Sequence, residues 1–158
     1  MNIREVLEIA VTMESDGIDF YTKAAEVISD KAAKKVLLAL ADWEKKHYEQ
    51  FSRIRDEVVQ ESEPIVSPDG QAMLYLKAFV SGSIFDVNAD PLEYIKPDAT
   101  IEQIFKIAIG LEKDAICCYS GIRMMLGSTA SKDRIDQIIK EEMDHVRILS
   151  NELANVSQ

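Results

Sequence analysis

The stretch Met13-Glu14-Ser15-Asp16-Gly17-Ile18-Asp19-Phe20-Tyr21, followed downstream by Glu44-Lys45-Lys46-His47, occurs in outline twice in this chain. A shift of 98 residues carries Ile9-Ala10 onto Ile107-Ala108, Glu14 onto Glu112, Asp16 onto Asp114 and Tyr21 onto Tyr119. The same shift carries Lys34 onto Lys132, Glu44 onto Glu142 and His47 onto His145, with no gap anywhere. One structural unit is used twice.

The unit reads as a helical hairpin. All four prolines (Pro64, Pro68, Pro91 and Pro97) fall in the middle of the chain, leaving residues 1–63 and 98–158 free of proline. Apolar residues recur at helical spacing in both stretches: Leu7, Ala10, Glu14, Tyr21 and Ala24 share a face, as do Leu40, Glu44, His47, Phe51 and Ile54. The second copy repeats this with Ile104, Ala108, Glu112, Tyr119 and Ile122, then Ile135, Ile138, Glu142, His145 and Leu149. The midpoint between Glu14 and Glu44 falls at Ser29-Asp30, and that between Glu112 and Glu142 at Gly127-Ser128. Both are turn and N-cap signals. Residues equidistant from the turn of an antiparallel hairpin lie level, so each pair of glutamates meets across its own hairpin. Two such hairpins packed face to face make an all-α four-helix bundle, expected as a single domain over residues 1–158. Asn2 with Glu5 and Thr100 with Gln103 are candidate capping boxes. The connector, from about Asp56 to Thr100, is long enough to cross the length of the bundle and has room for one short helix near Gln71–Phe79.

The repeat points six polar side chains inward: Glu14, Glu44, His47, Glu112, Glu142 and His145. Four carboxylates and two imidazoles at one level of a core are costly if left unpaired. Two divalent cations would balance the four carboxylates, which is the physical case for a dinuclear metal site. Each histidine follows a glutamate by three residues, so each pair lies on one helix face within reach of a common ion, and these are the only two histidines in the chain. Bundle proteins with dinuclear sites take one Glu from each of two helices and Glu-x-x-His from each of the others. Mixed oxygen and imidazole donors suit iron or manganese, with zinc able to substitute in a purified sample. Glu14 and His47 are assigned as terminal ligands of one ion and Glu112 and His145 as those of the other, with Glu44 and Glu142 expected to bridge the two. Tyr21 and Tyr119 lie two turns past Glu14 and Glu112. That is too far to bond the glutamate of the same helix, but a hydroxyl there could reach a ligand carboxylate on a neighbouring one.

Composition excludes other readings. The 158 residues are 47% hydrophobic and 29% charged, typical of a globular chain. With 18 Lys+Arg against 28 Asp+Glu the net charge is -10, which argues against nucleic acid or an anionic membrane surface as partner. No apolar run approaches the roughly 20 residues of a membrane helix. The N-terminus lacks a signal-peptide core, so the expected location is cytoplasmic. Adjacent Cys117 and Cys118 cannot form a CxxC pair and point about 100° apart on a helix, which makes them reduced, packed thiols. Asp16 and Asp114 are expected to face solvent, Met124, Met125 and Met143 to fill the core, and Trp43 to serve packing or a subunit contact. The lysines of Lys31–Lys35 and Lys45–Lys46 read as solvated faces.

The segment from Met13 to Tyr21 with Glu44-x-x-His47, and its second copy from Leu111-Glu112 to Tyr119 with Glu142-x-x-His145, resembles the rubrerythrin-like branch of the ferritin-like superfamily. The resemblance spans nearly the whole chain and implies a ferritin-like bundle with a non-haem di-iron centre. Family members reduce hydrogen peroxide with electrons from rubredoxin; some relatives oxidise Fe(II) or activate oxygen. Rubrerythrins proper carry a rubredoxin domain with two CxxC pairs, absent here, so the donor is expected to be a separate rubredoxin or reductase. They also carry a further glutamate three residues past the helix-three ligand, where this chain has Ala115. The remaining four-Glu, two-His set is also that of bacterioferritin-type ferroxidase centres. Three functions stay open: reduction of peroxide or oxygen, iron handling as a ferroxidase, and a di-iron oxygenase or metal-loaded interaction module. A homodimer is the expected assembly for the first; a many-subunit cage would accompany the second.

Overall fold

The structure, a computed structural model, describes residues 3–60, 70–82, 93, 95–96 and 98–156. Among them are five helices and no strand: α1 (Ile3–Val27), α2 (Lys31–Gln60), α3 (Gln71–Gly82), α4 (Ile101–Met125) and α5 (Thr129–Val156). The helices begin where local chemistry satisfies their first N–H groups. Asp30 opens α2, its Oδ1 accepting from the Ala33 N–H at 2.7 Å. Ser128 opens α5, its Oγ accepting from the Ser131 N–H at 3.3 Å. Thr100 and Gln103 form a reciprocal capping box at α4. The corresponding expectation at Asn2 lies outside the described residues. Both hairpin turns thus fall at the midpoints of the glutamate pairs.

Two cross-bundle hydrogen bonds set the topology. Tyr119 Oη donates to Glu14 and Tyr21 Oη donates to Glu112. Moving forward along α1 from Glu14 to Tyr21 therefore moves backward along α4 from Tyr119 to Glu112, so α1 and α4 are antiparallel. On the opposite side, His47 meets Glu141 and Glu57 meets Arg134, which makes α2 and α5 antiparallel too. In this arrangement α2 ends and α4 begins at opposite ends of the bundle. The chain between Gln60 and Ile101 must therefore return along its length, the crossover of a ferritin-like bundle.

The core has two apolar halves. One end packs Leu7, Phe51, Ile54, Ile122, Ile135 and Ile138; the other packs Phe20, Leu37, Leu40, Ile104, Phe105 and Leu149. The six inward polar residues sit between these plugs. The short connector helix, α3, runs three residues beyond the expected Phe79. Leu76 joins the first apolar half, and the Tyr75 hydroxyl donates to the Cys117 carbonyl at 2.8 Å. It approaches α4 at Gly121, where an added Cβ would lie 2.8 Å from both Leu76 Cδ2 and the Tyr75 ring.

Several expectations need correction. Met125 is fully buried, but Met124 and Met143 are 56% and 54% exposed, because they flank the inward stripe instead of lying on it. Cys118 is buried while Cys117 is exposed, since adjacent helical side chains cannot both face one core. Burial pushes the Cys118 thiol up to about 12, so it stays protonated. Asp16 and Asp114 are half-buried instead of solvated. At Asp114 one carboxylate oxygen is sealed from water, on a helix that α3 partly covers.

The Gly121 contact gives a direct test of α3 docking. Gly121→Val should cost about 1–3 kcal/mol through overpacking. Gly110→Ala, where an added Cβ meets nothing within 4 Å, should stabilise α4 by about 0.5–1 kcal/mol. Urea unfolding midpoints of the two variants check this; a neutral Gly121→Val would mean that α3 does not hold this position.

Candidate metal centre

α1, α2, α4 and α5 each contribute to one layer: Glu14 from α1, Glu44 and His47 from α2, Glu112 from α4, and Glu142 and His145 from α5. None of the six is more than 5% exposed. The bundle brings all of them together. Glu142 lies at the centre, with Oε1 3.0 Å from His47 Nδ1 and Oε2 2.9 Å from His145 Nδ1. His47 Nδ1 is also 3.7 Å from carboxylate oxygens of Glu14 and Glu44. His145 Nδ1 is 3.6 Å from Glu112 and 3.7 Å from Glu44. The two imidazoles stack with centroids 5.6 Å apart.

Proximity here is not hydrogen bonding. Both Glu142 oxygens, Glu44 Oε1 and both Nδ1 atoms are buried without a hydrogen-bond partner. Each such orphan costs on the order of 1–3 kcal/mol, more for charged groups. These atoms face one another from α2 and α5. Two overlapping groups, Glu14/Glu44/His47/Glu142 and Glu44/Glu112/Glu142/His145, can each bring one donor atom per residue within 4.8 Å of the others. They share Glu44 and Glu142. Oxygen and imidazole donors in these numbers fit a pair of divalent cations of the iron or manganese type. This donor set cannot satisfy itself.

The electrostatics agree. Burial, then repulsion from Glu44 and Glu142, holds the Glu14 carboxyl well above its usual range, although the Tyr119 hydroxyl opposes this. Burial and the Glu142 charge push Glu112 up to about 7, against a lowering pull from His145. For the histidines burial disfavours the charged form, but the facing carboxylates outweigh it, raising His47 to about 11 and His145 to about 10. Burial and the neighbouring carboxylates push Tyr21 and Tyr119 well above the ordinary phenol range, so both hydroxyls remain donors.

Two contributors went unassigned in the sequence. Gly17 lies one turn past Glu14, where an added Cβ would come 3.3 Å from Glu44 Cγ and 3.4 Å from Cδ. The only sequence signal was a small residue on the inward side of α1, matched by Ala115 in the second copy. Glu141 stands outside the layer, its Oε2 hydrogen-bonded to His47 Nε2 at 2.8 Å, on the side of that ring away from Nδ1. Trp43 also touches the site: its half-exposed indole meets His145 edge-on at 5.9 Å and lies 6.4 Å from His47.

A helical bundle with a crossover connector and a buried carboxylate–imidazole layer defines the ferritin-like class. The family model described as Rubrerythrin matches residues 5–153, and the chain belongs to that family. A crystal structure of a Thermotoga maritima protein, provisionally assigned as a ferritin-like diiron-carboxylate protein, is similar at 26% identity with a TM-score of 0.73. The similarity covers 98% of this chain and 95% of that one. No curated protein gave a match.

Because Glu112, His47 and His145 all hold protons more tightly in the fold than in the unfolded chain, their contribution to metal-free stability is present at low pH and is lost as pH rises. The Glu112 contribution is lost between about 4.5 and 7, and the histidine contributions between about 6.5 and 10–11. Metal must displace the same protons, so its affinity should rise over that range. Melting temperatures of chelator-treated protein from about pH 5 to about pH 9 should decline, and calorimetry in buffers of different ionisation enthalpy should detect proton release on metal binding. A metal-free melting temperature that climbs with pH would contradict these electrostatics.

Proposed function

We propose that this protein is a non-haem di-iron redox protein that reduces hydrogen peroxide or oxygen with electrons from an external donor. The observation that carries the reading is the buried layer of orphaned carboxylate and imidazole atoms in two overlapping groups. Glu14 and His47 would hold one ion, Glu112 and His145 the other, and the shared Glu44 and Glu142 would bridge them. Two ferrous ions bound there would supply the two electrons that a peroxide needs for cleavage of its O–O bond. The chain's own residues prepare the site for that chemistry. Tyr119 and Tyr21 fix Glu14 and Glu112 from across the bundle, each keeping its proton on Oη. Gly17 leaves the space that the Glu44 carboxyl occupies. Site residues exposed by 5% or less favour a small oxidant such as peroxide or oxygen over a bulky organic substrate, which weighs against the oxygenase alternative.

A second reading, ferroxidase and iron handling, is favoured by Ala115. It is buried and offers no further carboxylate beside Glu112, leaving the symmetric donor set. The donor is proposed to be a separate rubredoxin or reductase, since the adjacent Cys117 and Cys118 cannot supply a CxxC site. The working form is proposed to be a cytoplasmic homodimer. Among the described residues no helix is long and apolar enough to cross a membrane.

Stopped-flow oxidation of the diferrous protein separates the readings. Peroxide should oxidise it at least about tenfold faster than oxygen at equal concentration, a barrier difference of about 1.4 kcal/mol. Faster reaction with oxygen, followed by release of ferric iron, would favour the ferroxidase. Ala115→Glu should accelerate peroxide turnover where the new carboxylate reaches the ion.

A further inference from the structure

The two halves of the layer are related by the 98-residue repeat, but their outer faces are not alike. Behind His47 stands Glu141, whose Oε2 lies 2.8 Å from Nε2. Glu141 is itself held, its Oε1 accepting from the Gln137 amide at 3.1 Å. Shifted back by the repeat, Glu141 becomes Trp43 and Gln137 becomes Ala39. Behind His145 the structure accordingly has the Trp43 indole, edge-on at 5.9 Å, with the Lys46 ammonium 4.0 Å above the indole ring. An indole can donate a hydrogen bond but has no acceptor oxygen.

We propose that the two metal positions are unequal: the His47 position binds a divalent cation first and more tightly, because Glu141 backs that imidazole while Trp43 backs the other. This rests on the two-ion reading given above. With Nδ1 given to an ion, His47 would keep its one proton on Nε2, where Glu141 accepts it at 2.8 Å. That contact fixes the tautomer and ring orientation and pushes electron density toward Nδ1. It also places a negative charge behind the His47 position, where the repeat-related residue on the His145 side is the uncharged Trp43. The inner donors are near-equivalent, so the outer pair decides the order. Glu141 is here a positioning residue, acting through His47.

Cobalt(II) titration of the metal-free protein, followed by calorimetry and by absorption of the bound ion, tests this directly. The wild type should bind two equivalents in two steps at least about tenfold apart. In Glu141→Ala the tighter step should weaken by about 10–100-fold while the weaker one is unchanged. Glu141→Gln, which keeps an acceptor without the charge, should fall between. Trp43→Glu should strengthen the weaker step and draw the two together, and Trp43→Gln should do so less. Two equal steps in the wild type, or Glu141→Ala weakening both alike, would overturn the inequality while leaving the two-ion site standing. Fewer than two equivalents in the wild type would overturn the two-ion reading, and this inference with it.

Discussion

Charge burial governs this bundle. Four carboxylates and two imidazoles occupy one level of an apolar interior, between a plug built on Leu7, Phe51 and Ile122 and another built on Phe20, Leu37 and Phe105. Neither plug can solvate them. The layer is held partly by internal means: the two tyrosine hydroxyls each donate to a glutamate, and the raised proton affinities of Glu14 and Glu112 reduce the buried charge. These means leave Glu142, Glu44 Oε1 and both Nδ1 atoms without partners. A fold that keeps such atoms together gives up stability to do so, and ligation is the physical compensation the donor set allows.

The rest of the architecture serves that layer. The hairpin turns at Asp30 and Ser128 place each glutamate pair level, and the antiparallel pairing of α1 with α4 puts each tyrosine opposite the other hairpin's glutamate. That pairing obliges the chain to cross the bundle between α2 and α4. Topology and site are therefore one constraint seen twice. Had the hairpins packed with α1 and α4 parallel, Tyr21 and Tyr119 would face each other's helices at the wrong height.

Much of this was legible because the repeat is gapless. The inward faces, the turn midpoints, the Thr100 cap and the level of the six polar residues all follow from period and symmetry. What escaped lies off the symmetry or off the stripe. Glu141 sits beside Glu142, about 100° round the helix, and nothing local distinguishes it from a solvated glutamate until α2 is packed against it. Gly17 matters through the space it leaves, which a sequence does not display. Met124 and Met143 are apolar but lie at the flank of their helices, where a four-helix interface does not reach. The covering of Asp114 depends on where α3 docks, and α3 belongs to neither copy of the repeat.

The central claim is that Glu14, Glu44, His47, Glu112, Glu142 and His145 together hold two metal ions. Anomalous diffraction at the iron edge from crystals of anaerobically loaded protein tests it most directly. The account predicts two iron peaks roughly 3–4 Å apart in the layer, one beside His47 and one beside His145, with Glu44 and Glu142 touching both. A single peak, or either histidine turned away from the iron nearest to it, would contradict it.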